Sequence, residues 1–173
     1  MLVTVTTAAA PASARPREHY RWEHQRVVTV TSHAGRSWGV ARAVRGWNRV
    51  RVHGEPRLQL RRVAHPDVVV QVVARPGDPR TGVTWRYTYR RGGDRLRHAV
   101  VWLNRAAIHR PGYRWHGGYG AVERYTSSHE LGHVLGLEHH LAVRRSVMSY
   151  RTPWWLTQGR PSRFDRRLLA RLY

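Results

Sequence analysis

The run Ser128-His129-Glu130-Leu131-Gly132-His133-Val134-Leu135-Gly136-Leu137-Glu138-His139 constrains this chain more than any other feature. On a helix, His129 and His133 stand about 6 Å apart along the axis and about 40° apart in rotation, so both imidazoles face one point. Two histidines so placed can grip one metal ion, and Zn²⁺ is the usual occupant of nitrogen sites with this geometry. Glu130 is turned aside from that line, so it can reach a metal-bound water instead of filling the coordination sphere. A ligand six residues beyond His133 cannot face the same ion if the helix continues. Gly136 can take the left-handed conformation that ends a helix and swings the chain back, and His139 then arrives as the third ligand. Three neutral histidines leave a fourth position for water, whose pKa falls from about 15.7 towards about 7 with Glu130 as its base.

The remaining text predicts the frame that carries this segment. Val27 to Thr31 are β-branched in succession and predict a buried strand. Ser37 to Val50 places Trp38, Ala41, Val44 and Trp47 at helical spacing, with Val40 and Ala43 beside them. Leu58–Val63, Asp67–Ala74, Val83–Tyr89 and His98–Asn104 predict further strands, and Asp67–Ala74, apolar on both faces, should be central. Gly, Pro, Tyr and Trp make His109 to Gly120 a loop, and a second helix should run from about Ala121 to Leu135. Ser162 and Asp165 stand at capping-box spacing before a last helix whose face is Phe164, Leu168, Leu169 and Leu172. Strands and a helix followed by two helices make an α/β or α+β layer arrangement.

Composition removes several function classes. The 173 residues include no cysteine, which excludes a disulfide scaffold, a Cys-ligated zinc and a thiol nucleophile. No apolar run is long enough to span a membrane as a helix. The net charge of +21 comes from 31 basic residues, all arginine, against 10 acidic ones. Ile occurs once, as Ile108, so part of the arginine excess reads as GC-rich codon usage. The field is nonetheless real and favours nonspecific binding to polyanions. Residues 1–14, uncharged and ending Ala12-Ser13-Ala14, read either as a truncated export signal or as a polar-apolar tail. Residues 15–173 then form a single catalytic domain.

HELGHVLGLEH resembles the long zinc-binding consensus of the metzincin metallopeptidases, HExxHxxGxxH. Ser146-Val147-Met148-Ser149-Tyr150 resembles the Met-turn of that clan. The resemblance implies a twisted, mostly parallel sheet with an antiparallel edge strand, an active-site helix and a C-terminal helix. It implies His129, His133 and His139 as ligands of one catalytic zinc, Glu130 as the base and Gly136 as the turn between ligands. It further implies Met148 as an apolar floor beneath the histidines and Tyr150 as a helper of the oxyanion. His98–Asn104 would be the edge strand on which a peptide is laid. His140, following the third ligand, is expected to face solvent or, in a distorted site, to stand in as a ligand, and its identity leaves the branch of the clan unassigned. Asp78 and Asp94 stand isolated, so structural calcium is not expected. His109 and His116 could touch substrate, and Trp154 and Trp155 either wall a substrate pocket or pack the core. Glu138 reads as a surface residue, or as a carboxylate that supports a ligating histidine from behind.

These readings converge on a monomeric, secreted zinc endopeptidase that hydrolyses protein or peptide substrates by a Glu130-activated, zinc-bound water. Two alternatives stay open: an intracellular DNA-associated zinc protease, and a non-catalytic zinc-stabilised module that binds anionic surfaces.

Overall fold

A computed structural model describes residues 21–23, 26–49, 56–88, 95–113, 117–140, 145–149 and 157–173. The expectations for residues 1–14, Asp94, His116, Tyr150, Trp154 and Trp155 lie outside the described residues. The elements run β1 (Val27–Ser32), α1 (Val40–Arg49), β2 (Arg57–Leu60), β3 (Val68–Val73), β4 (Gly82–Thr88), β5 (Leu96–Asn104), α2 (Arg105–Ile108), α3 (Tyr119–Val134) and α4 (Arg163–Leu172).

The five strands form one sheet in the order β2-β1-β3-β5-β4. All neighbours are parallel except β4, which runs antiparallel to β5 from Gly82 opposite Leu103 to Thr88 opposite Leu96. This is the mostly parallel sheet with an antiparallel edge strand that the sequence led us to expect. One assignment is corrected. His98–Asn104 lies inside β5, which is hydrogen-bonded to β3 on one side and β4 on the other. The outer strand next to α3 is therefore β4.

Alternation along the strands sends Val28, Val30, Val68, Val70, Ala99, Val101 and Leu103 into one buried layer. There they meet Val44 and Trp47 of α1 and Val122 and Leu131 of α3, which pack against each other over the sheet. β3 is central by position, yet its second face is only partly covered, with Gln71 exposed. On that face Trp85 and Trp102 meet edge to face, and the Arg75 guanidinium lies 3.7 Å from the Trp102 ring centroid.

The first helix starts later than its apolar spacing suggests. Arg36–Trp38 form a single 3₁₀ turn, and Gly39 at φ 66° breaks the axis before α1 begins at Val40. A Cβ at Gly39 would lie 2.7 Å from Arg124 Cγ, so the chain passes close to α3 at this break. β2 stops at Leu60, short of Val63. The segment after β5, expected as loop, contains a 3₁₀ turn at Pro111–Tyr113, and α3 already begins at Tyr119. α4 opens with the expected box: Ser162 accepts from the Phe164 and Asp165 amides, and Asp165 accepts from the Ser162 amide. Such a cap contributes about 1 kcal/mol.

Candidate metal centre

α3 carries His129 and His133 on one line, and the chain turns immediately after them. Leu135 closes the last turn, Gly136 sits at φ 90°, and the Leu137 amide donates back to the Gly132 carbonyl. A residue with a Cβ is strained at that φ, which is why glycine serves there. The reversal brings His139 against the helix. Its Nε2 lies 2.8 Å from Nε2 of His129 and 3.1 Å from Nε2 of His133.

The ring orientations are fixed from behind. His129 Nδ1 lies 2.6 Å from the Val147 carbonyl, and His133 Nδ1 lies 2.8 Å from the Leu137 carbonyl. A carbonyl only accepts, so each Nδ1 carries the proton and each Nε2 presents its lone pair to the shared point. With His139 Nε2 turned to the same point, the three ring nitrogens can serve together as ligands of one cation. The ligating nitrogens of the three residues all fall within 4.8 Å of one another, and the cluster can hold one metal ion. Burial, helped by the neighbouring imidazoles, drives the His133 pKa far below its ordinary value and that of His139 down to about 4. These rings are therefore neutral at pH 7, as metal ligands must be.

Glu130, next to His129, is buried and points towards the outer strand. Its Oε2 accepts from the Thr84 hydroxyl at 2.6 Å. A Cβ on Gly82 would lie 2.5 Å from Glu130 Oε1, so β4 approaches this carboxylate through a residue without a side chain. Burial raises the Glu130 pKa, while His129, the Thr84 hydrogen bond and Arg80 pull the other way. Arg80 is held in a loop tied down by Asn104, whose amide donates to the carbonyls of Arg75, Asp78 and Arg80. Sequence reasoning missed Thr84, Gly82 and Asn104, because their roles arise from strand order and not from local spacing.

Met148 is fully buried beneath α3. A Cβ on Gly132 would come 2.3 Å from Met148 Sδ and 2.8 Å from Trp47 Cζ2, so the helix can settle on this floor only through glycine. The turn is anchored from α4. Ser146 donates from its hydroxyl to the buried Asp165 carboxylate, which also receives the Ser162 amide and hydroxyl. Ser146 Oγ in turn accepts from the Met148 amide.

Three neighbouring side chains have partners within the fold. His140 is only partly exposed: its Nε2 lies 2.8 Å from Ser146 Oγ, its ring tilts against Phe164, and burial lowers its pKa. A short parallel bridge pairs its backbone with Ser149. Glu138, partly exposed, is ion-paired to Arg86 of β4. His109 stacks on Tyr119 and lies 3.3 Å from Glu123 Oε1. On the other side of the cluster Tyr125 stacks on His129, and burial together with Asp165 and Glu130 raises its pKa to about 12.

No helix among the described residues is long and apolar enough to cross a membrane. No family model matches the chain, and no curated protein matches it by sequence. Solved structures do. One structure of myroilysin superposes with a TM-score of 0.52 at 15% identity, over 96% of this chain and 89% of that one. A second, also of myroilysin, gives a TM-score of 0.53 at 14% identity over 92% and 88%. Through these two structures the chain is similar in fold, over nearly its whole length, to myroilysin.

Proposed function

We propose that the protein is a zinc-dependent endopeptidase of the metzincin type, acting outside the cell on protein or peptide substrates. The observation that carries this reading is the convergence of three Nε2 atoms beside a buried, hydrogen-bonded Glu130. A purely structural zinc site has no use for that carboxylate, because structural sites are closed by a fourth protein ligand. Among the described residues the cluster offers three. The similarity of fold to myroilysin, a metzincin-type metallopeptidase, supports the same reading.

Zinc bound by His129, His133 and His139 would supply Lewis acidity towards a water and the scissile carbonyl. Glu130 takes the proton as that water oxygen bonds to the carbonyl carbon, and delivers it to the nitrogen as the carbon–nitrogen bond breaks. The Thr84 hydroxyl fixes one carboxylate oxygen, which leaves Oε1 for proton transfer. Burial raises the carboxylate's basicity for this task. The outer edge of β4, rather than β5, offers the backbone groups against which an extended substrate would add as a further strand. Met148 supports the ligands from below, Gly136 sets the return of the chain, and Tyr150 is assigned to the developing oxyanion on the resemblance alone.

The testing experiment is digestion of an unfolded protein by the zinc-loaded enzyme, with and without a chelator. Cleavage that stops on chelation and returns with added zinc supports the proposal. Cleavage indifferent to the chelator, or absent across varied unfolded substrates, overturns it.

A further inference from the structure

A groove unrelated to the histidine cluster lies at the C-terminal ends of β1 and β2. It encloses about 560 Å³ between Ser32 and Leu60, the last residues of those strands, and the start of α1 at Gly39–Arg42. Open parallel sheets commonly place ligand crevices outside the carboxyl ends of their strands. Arg36, Arg42, Arg45, Arg61 and Arg62 line it, five of its twelve residues, against 31 basic residues in 173 overall. The concentration therefore exceeds the chain's general basicity.

This charge has no internal counter-charge among the described residues. None of the five guanidiniums forms an ion pair there, and no described carboxylate lines the groove. Four of the described carboxylates are engaged elsewhere: Asp67 with Arg26, Asp78 with Arg80, Glu138 with Arg86, and Asp165 with Ser146. Arg124 adds to the crowding from α3. Its Cγ lies against Gly39, and its Nε is buried without a hydrogen-bond partner. Partial burial, and to a lesser extent the neighbouring Arg160, Arg124 and Arg45, lowers the Arg42 pKa. An anion in the groove would relieve that repulsion.

The groove chemistry narrows the anion. Guanidinium forks match the oxygens of phosphate groups in pairs, and five of them in one groove call for several such groups in sequence. No described aromatic residue lines the groove, so nothing there stacks a nucleobase. We propose that this groove binds the consecutive phosphate groups of a linear, base-free polyanion.

The test is calorimetric titration of the full chain, carrying its metal, with sodium tripolyphosphate. Saturable binding that weakens steeply with added salt is expected, and neutralising two groove charges should cost about tenfold or more in affinity. Arg42→Gln/Arg45→Gln and, separately, the exposed pair Arg61→Gln/Arg62→Gln should both show that loss. Arg95→Gln/Arg97→Gln removes the same charge at the start of β5, the opposite end of the parallel strands, and should leave affinity within about threefold. Equal loss in that control, or no saturable binding by the wild type, overturns the proposal. Single inorganic phosphate binding as tightly as tripolyphosphate contradicts the need for consecutive groups. An oligothymidylate binding more tightly at equal phosphate concentration contradicts the base-free assignment, and weaker binding supports it.

Discussion

The Thr84 hydroxyl lies 2.6 Å from Glu130 Oε2 and 3.2 Å from the Glu130 carbonyl, joining the outer strand to the helix that bears two of the three clustered histidines. The bond holds the carboxylate in place and favours its ionised form against a burial that opposes it. Thr84→Val keeps the shape and removes the donor. Hydrogen bonds to charged groups are worth about 1.5–3 kcal/mol, so kcat/KM at neutral pH should fall about tenfold or more. Losing a bond to the charged form also raises the Glu130 pKa, which moves the acid limb of the pH–rate profile upwards, so raising the pH should recover part of the loss. Thr84→Ser should remain near wild type. An unchanged acid limb in Thr84→Val would show that the hydroxyl does not act on Glu130.

Gly132 tests the floor of the cluster. Alanine would add helix propensity worth up to about 1 kcal/mol, but its Cβ would collide with Met148 Sδ and Trp47. Overpacking of this kind costs about 1–3 kcal/mol and should win. Gly132→Ala is expected to lower Tm by several degrees and to weaken metal binding. A rise in Tm would mean that Met148 has room to move aside.

The buried Asp165 separates two roles of α4. Asp165→Asn removes a carboxylate that receives Ser146, the Val147 amide and the Ser162 cap. Stability should fall by about 2–4 kcal/mol, and metal affinity should fall with it because the Val147 carbonyl that orients His129 is displaced. Ser162→Ala should cost only about 1 kcal/mol and leave metal affinity intact. Both properties can be read from thermal melts and competitive chelation. If the two variants lose metal equally, the anchor of the turn is not Asp165.

Metal binding should also appear as stability. A ligand present at a thousand times its Kd contributes about 4 kcal/mol to the folded state. Chelation should therefore lower the Tm of the wild type clearly, and His139→Ala should have a lower Tm that a chelator no longer changes. A chelator-sensitive Tm in His139→Ala would remove His139 from the ligand set.

The histidine cluster was legible in the sequence because it depends on helical spacing and on one glycine, both local properties. The Ser162–Asp165 cap was legible for the same reason. Strand existence could be read from β-branched runs, but strand order could not: nothing in His98–Asn104 shows that β4 folds back to cover it. Thr84, Gly82, Asn104 and the Arg86–Glu138 pair follow from that order and were invisible. The break at Gly39 hid behind an apolar spacing that runs unbroken from Trp38 to Trp47, since periodicity does not register a change of axis. The contact between His140 and Ser146 is not legible in the sequence, because nothing local marks two side chains six residues apart as neighbours.

The most direct test of the account is to compare wild type with Glu130→Gln, with bound zinc quantified in each and cleavage of casein measured alongside. The account predicts about one zinc per chain in both and cleavage by the wild type alone, since Glu130 moves protons and holds no metal. Substantial chelator-sensitive cleavage by Glu130→Gln would contradict it, as would a wild type that binds no zinc.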